Sequence, residues 1–247
     1  MGGVREDPLG AATVDAATGP ASDGDLLRRV EEALAAGRGE AQAAYQGTLL
    51  LLPDFHPPLI VKYASGWGPL RWLRAAMIRR EYRIYQRLAG IPGIPRCFGV
   101  VPGPGLVLEY VEGVPRRGAE ILDREAFFAE LLEIVRAIHA RGVAHGDLAK
   151  RSNILVVDKR RPLVIDFGMA LVRKEGFAPL HRRVFNLLLR LDLNQWVKIK
   201  YDRQLHLASP EDLALYRLTW PERVARAIKK TYTNKEGKRP FSRQRRR

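Results

Sequence analysis

The spacing of apolar residues changes character along the chain, and that change constrains the fold more than any other feature. Thr48–Leu52 and Leu59–Tyr63 are short blocks rich in Leu, Ile and Val, which is how strands read. PDFHPP joins them as a proline-stiffened connection, and GLVLEY (105–110) is a third strand. Among these strands lies one long helical pattern, roughly Pro69 to Ala89, closed by Gly90; Pro92, Gly93 and Pro95 then force a loop. Beyond Tyr110 helical spacing takes over. Asp123 caps an amphipathic helix whose apolar positions 127, 128, 131, 134, 135 and 138 recur up to Gly142. Two short strands follow, Ile154–Val157 and Leu163–Ile165, with DKRRP as the hairpin loop, and the remainder reads as helical. Ser209-Pro210-Glu211-Asp212 combines a cap, a proline at the first position and acids in the first turn. The expected class is α+β: a small strand-rich half containing one long helix, then a mainly helical half. DLLRRVEEALAA (25–36) has helical spacing before Gly37, but the same residues could enter a strand leading to a glycine loop, and both readings stand.

Composition narrows the setting. A chain of 247 residues fits one two-lobed domain or two small ones. The single cysteine, Cys97, excludes an internal disulfide framework and suits a reducing compartment. No stretch approaches the run of about eighteen apolar residues that a spanning helix requires. Residues 1–24 lack the basic and apolar regions of a secretory signal and read as a disordered lead-in, which together points to the cytoplasm. The net charge of +15 is uneven: residues 223–247 carry eleven Lys or Arg against Glu236. The basic tail, 231–247, reads either as a solvated end or as a peripheral contact with an anionic membrane. Elsewhere no basic stripe is interleaved with aromatics and no zinc or recognition-helix motif occurs, which argues against nucleic acid.

The candidate chemistry is concentrated in two places. HGDLAKRSNILV (145–156) sets a histidine, an aspartate and an asparagine before a buried strand, and VIDFG (164–168) puts Asp166 directly after another. A carboxylate there is costly unless a positive group holds it. Asp147, Asn153 and Asp166 offer the hard oxygens that magnesium on a nucleotide phosphate requires. Upstream, Lys62 emerges from the apolar strand LIVK, and Glu81, nineteen residues on, lies within the long helix where it could pair with that lysine. GRGEAQAAYQG (37–47) supplies Gly37 and Gly39, and glycines let backbone amides approach phosphate closely.

In this order the pieces resemble the protein-kinase superfamily, over residues from about 37 to 170: a glycine loop, the strand lysine, its helix glutamate, a hinge, the catalytic loop and Asp-Phe-Gly. The resemblance implies a two-lobed protein-kinase-like fold, with an N-lobe over about 25–110 and a C-lobe over about 111–230. It implies ATP and Mg2+ as cofactors. Asp147 would orient the acceptor hydroxyl and take its proton, and Asn153 and Asp166 would hold magnesium. Lys62, fixed by Glu81, would hold the α- and β-phosphates, with Gly37 and Gly39 over them. LVLEYVEG (106–113) looks like the hinge behind adenine, contributing Glu109 and Val111, and His145 would brace the loop.

The chain also departs from the family pattern. Gln42 stands at the third glycine, and Gly146 stands where regulated protein kinases carry arginine. One extra residue separates Asp147 from Asn153, which leaves Ser152 as a rival for the metal; Asn153 is favoured because NILV keeps its register with the strand. No long activation segment follows Gly168. This shortened layout is similar to RIO-type kinases and to bacterial kinases of lipopolysaccharide-core sugars. The implied function is an ATP-dependent phosphotransferase acting on a sugar hydroxyl of a lipopolysaccharide or other small acceptor; the alternative is a RIO-like serine/threonine protein kinase. A pseudokinase scaffold would have no chemical need to keep Lys62, Glu81, Asp147, Asn153 and Asp166 together.

Overall fold

A computed structural model describes residues 22–44, 47–64, 68–150 and 152–219. Most of the lead-in and the whole basic tail therefore lie outside the described residues, as does the helical stretch expected from residue 223. The first element is a helix, α1 (Asp23–Ala35), so the helical reading of this segment holds. It begins inside the stretch expected to be disordered, because Ser22 caps it by accepting the Asp25 amide and two acids occupy the first turn.

Five strands follow in an antiparallel sheet: β1 (Glu40–Ala44), β2 (Gly47–Leu52), β3 (Leu59–Tyr63), β4 (Cys97–Val101) and β5 (Gly105–Glu109), in spatial order β1-β2-β3-β5-β4. The long helix α2 (Gly68–Leu88) lies between β3 and β4 in sequence. The two-residue period of a strand assigns its side chains to the two faces. Leu59, Val61 and Val107 join Leu26, Val30 and Ala33 of α1 in one cluster. Leu106 and Leu108 join Ile78, Ile84 and Leu88 of α2 in the other, against which Ile60 packs. Lys62 therefore belongs to the α2 face of β3. Cys97 begins β4, and burial pushes its thiol up to about 12, so it is an inert packing residue.

The second half is built on helix α3 (Arg124–Ala140), capped by Asp123 and buried at each anticipated apolar position. Around it lie β6 (Val114–Pro115), β7 (Val143–Ala144), β8 (Ile154–Val157), β9 (Arg161–Val164) and β10 (Leu171–Val172), then α4 (Pro179–Lys200) and α5 (Pro210–Leu215). β6, β8 and β9 form a three-stranded sheet, and β7 pairs with β10. Trp196 of α4 donates its indole N–H to the Phe128 carbonyl at 2.9 Å, joining the two long helices. The Val164 amide donates to the Gly93 carbonyl at 2.8 Å, so the loop after α2 is pinned to β9. Among the described residues no helix is long and apolar enough to cross a membrane.

Candidate active site

The cleft between the halves is lined by Lys62, Glu81, Asp147, Lys150, Asp166 and Gly168, with Met77 and Met169 at its edge. The strand parity that turns Lys62 toward α2 lets its ammonium meet both Glu81 oxygens, at 2.9 and 3.0 Å. The same nitrogen reaches Asp166 Oδ1 at 3.2 Å, so one cation bridges β3, α2 and the loop after β9. Burial draws the Lys62 ammonium toward neutrality, but the two carboxylates outweigh it and its pKa is raised. Burial pushes Glu81 upward, and the Lys62 charge only restrains that shift. Asp166 is lowered even though burial works the other way, because Lys62 and Lys150 both face it.

Lys150 went unnoticed in the sequence, where it is one basic residue among several. Its Nζ lies 3.2 Å from Asp166 Oδ2. The left-handed backbone of Asp166, φ +65°, is uncommon for a residue with a side chain and persists only when the surroundings hold it. Those surroundings are explicit. The Gly168 amide lies 3.4 Å from Asp166 Oδ1, and the buried Phe167 ring meets Tyr85 edge-on and packs against His145.

The loop bearing Asp147 is held differently. Buried Asp192 of α4 accepts the His145 amide and the Gly146 amide, each at 2.8 Å, and lies 3.0 Å from His139 Nε2. Gly146 has φ +77°, and a Cβ there would come within 3.3 Å of the Met169 carbonyl oxygen, which accounts for glycine in place of arginine. His145 braces the loop as expected, its Nε2 3.2 Å from the Ile165 carbonyl. Asn153 is buried, and its amide nitrogen donates to the Asp147 carbonyl at 2.9 Å. The Ser152 hydroxyl donates to Asn153 Oδ1 at 3.3 Å, so the two rivals for a metal contact adjoin each other. Asp192 was also missed; a lone aspartate in an apolar helical stretch, DLNQW, was the available signal.

The structure does not bring every expected residue to the cleft. Gly37 follows α1 and Gly39 directly precedes β1, so both lie at the end of the β1–β2 pair remote from Ala44 and Gly47. The expected cradle of Gly37 and Gly39 is therefore corrected. Within the segment that read as a glycine loop, Glu40–Ala44 is a strand, paired with β2 from Glu40↔Leu51 to Ala44↔Gly47. Glu109 is the last residue of β5, paired with Leu59 across the sheet, and Val111 lies in the connection from β5 to β6. The Glu109 carboxylate accepts the Arg96 amide at 3.1 Å, which fixes its side chain at that edge.

A five-stranded antiparallel sheet with one long helix, set over a helical half with this cleft between, is a protein-kinase-like fold. No protein-family model matches the chain. Two similar proteins are both protein kinases. CBL-interacting protein kinase 19 of rice is 31% identical over 173 residues, covering 66% of this chain and 33% of that protein. Dual specificity protein kinase Ttk of zebrafish is 46% identical over 55 residues, covering 22% of this chain and 5% of that protein. The chain thus spans a third or less of the length of these two curated relatives. Fold and similarity together support the protein-kinase-like superfamily. They give no support to a closer tie to RIO-type or lipopolysaccharide kinases.

Proposed function

We propose that this chain is an ATP-dependent phosphotransferase whose acceptor is a serine or threonine hydroxyl of a protein. The observation that carries the reading is the charge relay across the cleft, Glu81 to Lys62 to Asp166 at 2.9 and 3.2 Å, beside the Asp147–Asn153 pair. A scaffold gains nothing from bringing a paired lysine and these carboxylates to one opening. The acceptor class follows the relatives, which are protein kinases, and so the sugar acceptor moves from first reading to second.

The donor set suits magnesium held jointly with nucleotide. Asp166 offers a lowered carboxylate and Asn153 an amide oxygen, while among the described residues no cluster of three or more His, Cys, Asp or Glu could hold a metal unaided. Magnesium keeps few protein ligands and completes its shell with phosphate oxygens and water, so two protein oxygens fit it. When bound, the ion neutralises charge on the transferring phosphate. Lys62 would hold the α- and β-phosphates, its ammonium kept charged and aimed by Glu81. Lys150, partly exposed beside Asp147, can turn to the γ-phosphate once Asp166 has another cation. Asp147 would orient the acceptor hydroxyl and receive its proton as the new bond to the γ-phosphorus forms, the bridging β–γ bond breaks and ADP leaves. Glu109 and Val111 remain the proposed edge for adenine.

A sugar acceptor keeps one specific observation in its favour: α4 begins at Pro179, so the segment after Gly168 is too short to lay out a long peptide platform. Labelled ATP and magnesium incubated with fractionated lysate separates the two readings. Label in protein phosphoserine or phosphothreonine supports the first; label confined to saccharide or lipid refutes it.

A further inference from the structure

Helix α2 reaches Asp166 by two routes from consecutive residues. Glu81 acts through Lys62. Arg80, about 100° round the helix, faces the turn after Asp166 instead. Its guanidinium donates to the Gly168 carbonyl at 3.0 Å and to the Ala170 carbonyl. One of these carbonyls lies inside the 3-10 turn Phe167–Met169 and the other belongs to its C-cap, and the amide of the same Gly168 faces the Asp166 carboxylate. Resting on the phosphotransfer reading, we propose that Arg80 is a positioning residue: it clamps this turn to α2 and so holds Asp166 in the left-handed backbone that aims its carboxylate at the metal.

Three physical points support the clamp. First, a left-handed aspartate relaxes unless its neighbours prevent it, and the peptide following Asp166 is the one that must rotate for it to do so. Second, two carbonyls on one turn call for a rigid fork of donors, which arginine has and the single ammonium of lysine lacks. Third, Arg80 and Glu81 share one helix, so a shift of α2 that loosened the Lys62 pair would loosen the turn with it. The clamp uses main-chain acceptors and needs no modified side chain. A chain with a short segment after Gly168 and with Gly146 in its catalytic loop could therefore keep α2 and Asp166 in register without loop phosphorylation.

The test compares wild type with Arg80→Met, which keeps the aliphatic stem, and with Arg80→Lys. The first readout uses the protein without nucleotide or metal: amide hydrogen exchange over 167–170, with 127–138 of α3 as an internal reference. Arg80→Met should exchange about tenfold faster over the turn while α3 stays unchanged, and Arg80→Lys should fall between. The second readout is the gain in nucleotide affinity on adding magnesium. Arg80→Met should lose about tenfold of that gain while metal-free binding, which depends on Lys62, holds. Unchanged protection of the turn, or equal acceleration in α3, would overturn the clamp. A wild type that shows the magnesium gain alongside an Arg80→Met that shows it equally would overturn the clamp and leave the phosphotransfer reading standing. A wild type with no magnesium gain would overturn both.

Discussion

The two walls of the cleft are held by different forces. On the sheet side, Lys62 is fixed by side-chain ion pairs to Glu81 and Asp166. On the helical side, the Asp147 loop is fixed through its backbone, with the His145 and Gly146 amides captured by a carboxylate wholly removed from water. An ion pair between two elements can open when α2 moves, when one partner is changed or when pH falls. A carboxylate removed from water that holds two amides resists displacement, because releasing it strands polar groups in the core. Under the proposed function, the sheet side would receive and release nucleotide, and the helical side would keep Asp147 where the acceptor arrives.

That contrast can be broken at its junction first. Asp166 is the one residue that both lysines and the clamped turn address, so Asp166→Ala should abolish magnesium-dependent turnover, measured by release of labelled phosphate. Turnover at the wild-type rate would show that Asp166 is not the metal carboxylate. Asp192→Ala tests the rigid wall. It leaves the buried His145 amide and the half-buried Gly146 amide without their acceptor and should lower stability by about 3 kcal/mol, with activity lost alongside. A variant as stable as wild type in denaturant would mean that other groups hold the loop.

The soft wall predicts coupling rather than collapse. Lys62→Met and Glu81→Gln each leave the other group unpaired, so the double variant should bind nucleotide little worse than Lys62→Met alone. Losses that add within about 0.5 kcal/mol in a double-mutant cycle would sever the pair. The smallest effect is on pH. Burial lifts Glu81 above its ordinary 4.5, while the lysines hold Asp166 below its ordinary 3.8. As pH falls, Glu81 therefore takes up its proton first and releases Lys62 while Asp166 is still charged. Nucleotide affinity should weaken a few-fold on the way from about pH 7 to about pH 4, and Glu81→Gln should remove that step. A step that survives in Glu81→Gln would place the titrating group elsewhere.

Much of this was legible in the sequence because period and punctuation agreed. α2 and α3 fall within a residue or two of their expected bounds, since Gly90, Asp123 and Gly142 mark them. Lys62, Glu81, Asp147 and Asp166 were identifiable and do line one cleft. The misses have physical causes. EAQAA carries no strand signature of its own and becomes β1 only by pairing with β2, so nearby glycines drew the phosphate loop too early. β4 follows a run of Pro and Gly that masks it, and its strand state comes from pairing with β5. Lys150, Arg80 and Asp192 act through distant backbone or carboxylate partners, the last two across 46 residues or more, which no local pattern records.

The central claim is that Asp147 is the base of a phosphotransfer reaction, and the direct measurement pairs nucleotide binding with γ-phosphate transfer for wild type and Asp147→Asn. Asparagine can keep the loop's shape but cannot take the acceptor proton. The account predicts magnesium-nucleotide affinity within about twofold of wild type and transfer lower by about a hundredfold or more. Full transfer by Asp147→Asn, or no transfer by wild type to any hydroxyl acceptor, would contradict it.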